Sequence, residues 1–383
     1  MQGRSLRIIK IGIDATALPP QPGGAGIYII QLIRALASCE ADFNLTIFAH
    51  QIGYYMIDKP DTRNVKWVLV PNKNPVHRLV WEQTMLPRLV RKSGVDLLHS
   101  PHYTRPISLA CKSVVTFHDM TFFLFPELHT ISKRVFFRFA IRMSSRLADG
   151  IIAVSENTKR DAMRLLGLPS EKITAVPLGI GEVFRPISND QVLEQYRKKY
   201  QLPERFILTV GVIEPRKNLE VLINSLKNLL DKGLEISLVV AGRLGWMYDG
   251  VFHLVKSLGI IDRVHFTGYI PNDELVIIYN LADIFVYPST YEGFGMPPLE
   301  ALACGVPVVT SAVSSMPENI GGAGILVPPG DQEALTSALL KLFEDPALRE
   351  KFSRLGPARA AEFSWKRTAQ GTLEVYRKVL AAA

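Results

Sequence analysis

The sequence predicts an α/β protein made of two doubly wound parallel-sheet domains, and three observations carry that expectation. Short apolar runs rich in β-branched residues alternate with helical patterns from end to end, which is βαβ order. The runs are continuously apolar instead of alternating, as expected of parallel strands covered by helices on both faces. The rhythm stops near Gly181 and restarts near Phe206 in a chain of 383 residues, longer than one ordinary domain of roughly 100–200 residues.

Strands are expected at 8–13, 45–48, 66–70, 97–99, 113–118, 151–154 and 173–176 in the first series. The second series has them at 206–210, 237–241, 264–266, 284–287, 306–310 and 325–327, with helices at 219–232, 272–281 and 298–304. Between the two, 182–201 is polar and lacks a strand pattern, so the first domain is assigned to 1–180 and the second to 181–364. An amphipathic helix at 365–380 follows a basic helical stretch at 346–355, and the residues alone leave its berth open.

Composition narrows the class. Nearly half the residues are apolar (48%) and 21% are charged, a globular balance that excludes a disordered or fibrous chain. The apolar part of the N-terminal run is too short for the core of a signal peptide, and no run reaches the 18 or so residues of a membrane span. Cys39, Cys111 and Cys304 are odd in number and far apart, which fits neither a disulfide framework nor a zinc site and points to a reducing cytosol.

A formal net charge of +8 suits a phosphate-bearing partner, whether nucleic acid, anionic lipid or nucleotide sugar. The densest basic stretch puts Lys133, Arg134, Arg138, Arg142 and Arg146 at helical spacing beside Val135, Phe136, Phe137, Phe139 and Ile141. Such a helix either rests peripherally on an anionic membrane or packs on its own domain.

Ligands of open α/β sheets bind beyond the carboxyl ends of the strands, so the loops there hold the candidate residues. Gly23-Gly24-Ala25-Gly26 precedes a helix expected at 27–37 and would let backbone amides approach an anion at its N-terminus. It is not a dinucleotide fingerprint, because the third spaced glycine is missing. His118, followed by Asp119, would stand at a strand end as a hydrogen-bond donor to a sugar hydroxyl or a departing oxyanion. His99 and His102 also lie near a strand end, but no carboxylate at ligand spacing completes a metal site.

Gly211 opens the run that ends in Glu214-Pro215-Arg216-Lys217-Asn218. Here Arg216 could grip a phosphate bidentately, Lys217 would add a point charge, and Asn218 is a candidate helix cap. After strand 284–287 comes Glu292-Gly293-Phe294-Gly295-Met296-Pro297-Pro298-Leu299-Glu300. Its prolines suit the first turn of a helix that stops at Gly305, so the amides of Gly293, Phe294, Gly295 and Met296 would crowd a helix N-terminus. Glu292 and Glu300 could then hold hydroxyls on opposite sides of a diphosphate. No G-x-x-x-x-G-K-[ST] loop and no Asp-x-Asp pair is present, so positive charge for a leaving diphosphate must come from Arg216, Lys217 and helix ends.

These motifs together, above all Glu292 and Glu300 as an E-x7-E pair, resemble the retaining GT-B glycosyltransferases of glycosyltransferase family 4 over essentially the whole chain. Gly12-Ile13-Asp14-Ala15, His99-Ser100-Pro101 and His118-Asp119 are most similar to bacterial mannosyltransferases of polysaccharide assembly.

The resemblance implies two Rossmann-like domains facing a central cleft, with the donor in the C-terminal domain and the acceptor mainly in the N-terminal one. It also implies that the helix 365–383 crosses back to the first domain. Arg216 and Lys217 would bind the diphosphate and Glu300 the ribose, while Glu292 with the backbone of Gly293, Phe294, Gly295 and Met296 would hold the donor sugar and phosphate. The backbone at Tyr269-Ile270 would meet the base. His118 would contact the sugar near the reacting carbon, with Gly23 and Gly24 closing on the phosphates.

The expected partners are a nucleotide-sugar donor and a saccharide or lipid-linked acceptor, with no nucleic acid, no cofactor and no metal. The expected setting is the cytoplasm, peripheral to the membrane's inner face. GDP-mannose is the expected donor and a UDP-hexose the alternative. A nucleotide-sugar epimerase of the same architecture is a rival that the E-x7-E pair argues against, and a non-catalytic sugar-nucleotide binder would have lost Arg216, Lys217 or Glu292.

Overall fold

The computed structural model describes residues 8–39, 43–57, 64–71 and 74–382. They form two compact units, one of the residues up to Gly179 together with those from Ser364, the other of Ile180–Phe363. Residues 1–7 of the N-terminal run lie outside the described residues.

In the first unit β1 (Ile9–Asp14), β2 (Phe43–His50), β3 (Val65–Val70), β4 (Leu97–Ser100), β5 (Lys112–Phe117), β6 (Gly150–Ala153) and β7 (Ile173–Ala175) form one sheet. Its order is β3-β2-β1-β4-β5-β6-β7, and each neighbouring pair is parallel. The second unit has β8 (Phe206–Val210), β9 (Ser237–Ala241), β10 (Val264–Gly268), β11 (Ile284–Tyr287), β12 (Val308–Ser311) and β13 (Ile325–Val327). Their order is β10-β9-β8-β11-β12-β13, again parallel throughout.

Both sheets are covered on two faces, which explains why their strands read as unbroken apolar runs. In the second unit Ile207, Leu238, Val240, Ile284 and Val286 are buried together with Leu222, Leu226 and Leu229 of the helix Leu219–Asp231. Each such side chain removed from water contributes about 1.5–3 kcal/mol, so the sheets are held chiefly by these contacts. Strand order reverses between β1 and β4 in one sheet and between β8 and β11 in the other. At such a point the connections leave in opposite directions and open a crevice at the carboxyl edge.

Two differences from expectation have local causes. The strand expected at 306–310 begins only at Val308, because Pro307 has no N–H for the ladder. The polar stretch 182–201 contains a helix, Asp190–Lys199, capped by the Asn189 side chain at 3.2 Å from the Val192 amide; none of its residues is buried, so no apolar stripe announces it.

The final helix, Trp365–Ala381, belongs to the first unit. Gly150 of β6 makes room for it, since a Cβ there would lie 2.6 Å from Val379. Thr368 donates to the Pro177 carbonyl at 2.8 Å. Beneath the helix His99 is fully buried, with Nδ1 2.6 Å from the Tyr376 hydroxyl and Nε2 2.8 Å from Thr116 Oγ1. Burial pushes its pKa down to about 3, so the ring is neutral and needs both partners. Tyr376→Phe strands one buried ring nitrogen and is expected to lower stability by about 1–3 kcal/mol in urea denaturation. An unchanged midpoint would show that this bond does not anchor the helix.

Candidate active site

The carboxyl edge of the second sheet gathers the residues that the motifs singled out. Gly211 follows β8 at φ 150°, and a Cβ there would press on the Lys217 side chain at 3.3 Å. A short 3-10 turn, Pro215–Lys217, then brings both cations back over the strand end. Asn218 adopts left-handed geometry (φ 52°) and makes no side-chain capping bond to the helix Leu219–Asp231. The expected cap is therefore absent: Asn218 serves to turn the chain from the 3-10 turn into the helix. Across the reversal point the loop after β11 is tied to this one by its backbone, with Thr290 N donating to the Arg216 carbonyl at 2.9 Å.

Glu292 lies between the two cations. Its Oε2 is 2.7 Å from Arg216 Nη1, and its Oε1 accepts from Lys217 Nζ at 2.7 Å and from the Tyr287 hydroxyl at 3.0 Å. Lys217 also donates to the Tyr287 oxygen and sits over that ring, 4.6 Å from its centroid. Arg216 is held from the other side by Glu214, whose Oε1 accepts from Nε at 3.0 Å and Nη2 at 2.6 Å, and Nη1 donates further to the Tyr291 carbonyl at 2.8 Å. Burial would raise the Glu292 carboxyl, but the charges and hydrogen bonds of Arg216 and Lys217 hold it at about 2. Burial also works against the Arg216 charge, and Glu292 with Glu214 overrides it and strengthens the cation.

This arrangement revises one expectation. Of the five N–H groups of a guanidinium, four of those on Arg216 are engaged by Glu214, Glu292 and Tyr291, which leaves one on Nη2. Two of the three on Lys217 are engaged as well. A bidentate grip by Arg216 is therefore not available in this arrangement. Among the described residues, one N–H of Arg216 and one of Lys217 remain without a partner.

Gly293 and Phe294 are buried in the loop that continues from Glu292. Behind it the single hydroxyl proton of Ser315 is shared between the carbonyls of Phe294 (2.7 Å) and Glu292 (3.1 Å), Asn319 donates to the Phe294 carbonyl, and Glu292 N donates to Ser314 Oγ at 2.9 Å. Because a trans peptide sends its C=O and N–H opposite ways, pinning the Phe294 carbonyl aims the Gly295 N–H away from Ser315. Gly295 caps the helix Met296–Ala303 at φ 82°, with Pro297 and Pro298 in its first turn. A Cβ at Gly295 would lie 2.2 Å from Met316. One turn on, Glu300 accepts from the Tyr279 hydroxyl at 2.9 Å, and burial raises its carboxyl to about 7. Ile270, beyond the end of β10, has a buried side chain, while Tyr269 beside it is exposed.

In the first unit the helix after β1 starts at Gly24 with Gly23 as its cap, three residues before the expected position, so Gly24 and Gly26 lie inside its first turn. Gly26 is needed internally, since a Cβ would meet Pro22 at 2.7 Å, whereas one on Gly23 would meet nothing within 4 Å. His118, just past β5, packs its ring against Tyr28 at 5.1 Å between centroids. Its Nε2 lies 3.0 Å from the Pro101 carbonyl. A carbonyl only accepts, so Nε2 carries the proton there. Burial lowers the ring's pKa against the pull of that carbonyl and of Asp119, which favours the neutral form and leaves Nδ1 as an acceptor. With Nε2 committed to the Pro101 carbonyl, Nδ1 is the ring nitrogen through which neutral His118 could accept.

The residues that sequence reasoning passed over are the supporting ones. Glu214 was legible as part of its motif but not as the clamp on Arg216. Ser314, Ser315 and Asn319 carry no local signal, because their partners stand on another strand end, and the Lys217 partner of Tyr287 does too. The same is true of His102, for which no carboxylate at ligand spacing was visible. The fold brings Asp14 Oδ2 to 3.3 Å from His102 Nε2, and Thr104 links His102 to Glu82 at 3.1 and 2.8 Å. Asp14, Glu82 and His102 place one ligand atom each within 4.8 Å of one another. Protein donors already engage them, with Thr16 on Asp14 and Arg78 on Glu82, which accounts for the cluster as a buried hydrogen-bond network.

Two family models match the chain, Glycosyltransferase Family 4 over residues 22–182 and Glycosyl transferases group 1 over residues 193–359. The O-antigen chain mannosyltransferase B of Escherichia coli is 31% identical over 369 residues, covering 92% of this chain and 96% of its own. The O-antigen chain mannosyltransferase RfbU of Salmonella typhimurium is 26% identical over 85% of this chain and 88% of its own. Among solved structures, the sucrose-phosphate synthase of Thermosynechococcus elongatus aligns at TM-score 0.75 over 98% of this chain and 100% of that one, at 23% identity. The glycosyltransferase WaaG of lipopolysaccharide biosynthesis aligns at TM-score 0.73 and 18% identity over 94% of this chain and 97% of that one. Family models over both halves and a full-length relative at 31% identity place this chain in the GT-B glycosyltransferases of group 1 and family 4, as a hexosyltransferase.

Proposed function

We propose that the protein transfers mannose from GDP-mannose, with retention and without a metal ion, to a saccharide or lipid-linked acceptor in polysaccharide assembly in the cytoplasm. The mannosyltransferase relatives support the sugar. The observation that carries the chemistry is the Glu214-Arg216-Glu292-Lys217 cluster at the reversal point of the second sheet, where two cations each keep one donor without a partner among the described residues. Those donors and the Gly295 amide supply fixed positive ends for a leaving diphosphate, and donors already in position need no reorganisation as the charge develops.

In this reading Glu300 takes the ribose hydroxyls. Glu292 Oε2 has one lone pair beyond its bond to Arg216 and receives a sugar hydroxyl. As the bond from the anomeric carbon to the diphosphate oxygen breaks, that oxygen takes the proton of the acceptor hydroxyl, and the new glycosidic bond forms on the same face. The base would lie against the backbone at Tyr269 and Ile270.

Arg216→Ala and Glu292→Gln are each expected to lower kcat/KM by about a hundredfold or more, as loss of a preorganised charge contact does. Steady-state transfer from GDP-mannose measures this, and a loss under threefold would remove the residue from its role. Turnover is expected to persist in EDTA. If EDTA abolished it and magnesium restored it, the metal-free reading would fall.

The raised carboxyl of Glu300 gives a pH signature. Above about 7 it is an anion that accepts hydroxyls, and below that it takes up a proton, so donor affinity should weaken as pH falls from 8 to 6. Calorimetry with GDP, GDP-mannose and UDP-hexoses should show this slope for the preferred nucleotide and a flat profile in Glu300→Gln. Equal slopes in both proteins would place the titration elsewhere, and preference for a UDP-hexose would replace the donor.

A further inference from the structure

One side chain of the second unit, outside every motif, converges on the loop after β11. Arg359 stands in the last turn of the helix Pro346–Ala360. Its Nε donates to the Asn319 carbonyl at 2.9 Å, its Nη2 to the Glu318 carbonyl, and its Nη1 to Glu362 Oε2 at 2.6 Å. Glu318 and Asn319 lie in the last turn of the short helix Met316–Ile320, where carbonyls lack an intrahelical partner.

Capping a helix would account for these bonds alone. The helix it caps, however, is the frame of the donor loop. Ser315, just before the first turn, shares its hydroxyl proton between the Phe294 and Glu292 carbonyls, and Asn319, 1% exposed, donates through Nδ2 to the Phe294 carbonyl. Arg359 therefore bonds the backbone of the residue whose side chain pins the Phe294 peptide.

A second route reaches Phe294 from its ring. The Arg359 guanidinium lies over the Phe363 ring, 5.0 Å from its centroid, and the Phe363 and Phe294 rings meet edge-on with centroids 5.9 Å apart. Both supports are themselves fixed. The Phe363 carbonyl accepts from Ile180 N at 3.0 Å. Gly356 brings the helix Pro346–Ala360 so close to the helix Met296–Ala303 that a Cβ there would lie 2.7 Å from the Leu302 carbonyl oxygen. One guanidinium thus holds the backbone and the ring of Phe294, each through a single intermediary.

We propose that Arg359 is a positioning residue of the transfer, fixing the Phe294–Gly295 peptide so that the Gly295 N–H faces the leaving diphosphate. This rests on the reading of Gly295 as a diphosphate donor given above, and Arg359 itself touches no reacting atom. A hydrogen bond weakens steeply as its angle opens, so a tilted peptide loses most where charge develops on the oxygen it faces.

Phe294-Gly295 is the sole Phe-Gly step in the sequence. Labelling phenylalanine with carbonyl 13C and glycine with 15N therefore gives one carbonyl–amide cross-peak in the full chain, that of this peptide, and its carbonyl frequency rises with hydrogen bonding to the Phe294 oxygen. Arg359→Met and Asn319→Ala should each lower that frequency, and the double variant should match Asn319→Ala alone, because the two residues act in series. Arg359→Lys, whose ammonium can bond one of the two carbonyls, should restore part of the shift. In steady-state transfer, measured with GDP-mannose and with UDP-glucose, Arg359→Met should lower kcat at least about tenfold and change the donor KM less than about threefold. Calorimetry with GDP and UDP should still find one nucleotide site per chain, which separates this loss from a loss of folded protein. An unmoved peak in Arg359→Met, additive shifts in the double variant, an unchanged kcat, or a kcat that falls only in step with the number of nucleotide sites would each overturn the proposal alone. A wild-type peak that the bound nucleoside diphosphate leaves in place would overturn the diphosphate reading of Gly295, and the proposal with it.

Discussion

Two cations side by side repel, and holding Arg216 and Lys217 in a loop that is largely out of water requires an anion between them. Glu292 is that anion, but it arrives from a loop 75 residues later in sequence. The two loops can meet only because β8 and β11 are neighbours at the place where strand order reverses. Topology therefore precedes chemistry here. The parallel order sets two strand ends side by side, the ion cluster ties their loops together, and the bonds with Ser314, Ser315 and Asn319 fix the backbone from Glu292 to Phe294.

The first unit solves a related problem with neutral groups. Tyr28, Thr116, His99 and Tyr376 form a continuous buried chain of contacts from the helix after β1, through β5 and β4, to the final helix. Each member has a polar atom that would be costly alone, and the chain satisfies them in series. Its consequence is positional. The ring of Tyr28 that ends this chain is the one that packs against His118, so the orientation of the imidazole is linked to the seating of the helix Trp365–Ala381.

How much of this was legible in the sequence follows from the range of each interaction. Strands and the larger helices were readable because burial on both faces writes itself as local apolar runs, and the family marks were readable because Glu292 and Glu300, or Arg216 and Lys217, lie within one loop and helix. The helix Asp190–Lys199 was hidden because it buries nothing. Non-local partners were hidden altogether: neither the Asp14 carboxylate that meets His102 nor the carbonyl that accepts from His118 Nε2 stands near it in sequence. At Arg216 the sequence shows a guanidinium fork but not that Glu214, two residues before it, accepts from Nε and Nη2.

That last point bears on how such a site can favour a transition state. With Glu214 and Glu292 opposite Arg216 and Lys217 the cluster is close to neutral, so it exerts little long-range pull on a phosphate. What remains is short-range, one N–H from each cation, at positions fixed by four carboxylate contacts. Bonds of this kind strengthen as negative charge accumulates on the oxygen they face, whereas a diffuse field would hold the intact donor and the departing diphosphate almost alike. Under the proposed transfer, neutralising the cations beforehand would exchange ground-state attraction for discrimination between substrate and transition state, and it would give Glu214, which touches no reacting atom in this scheme, a part in that discrimination.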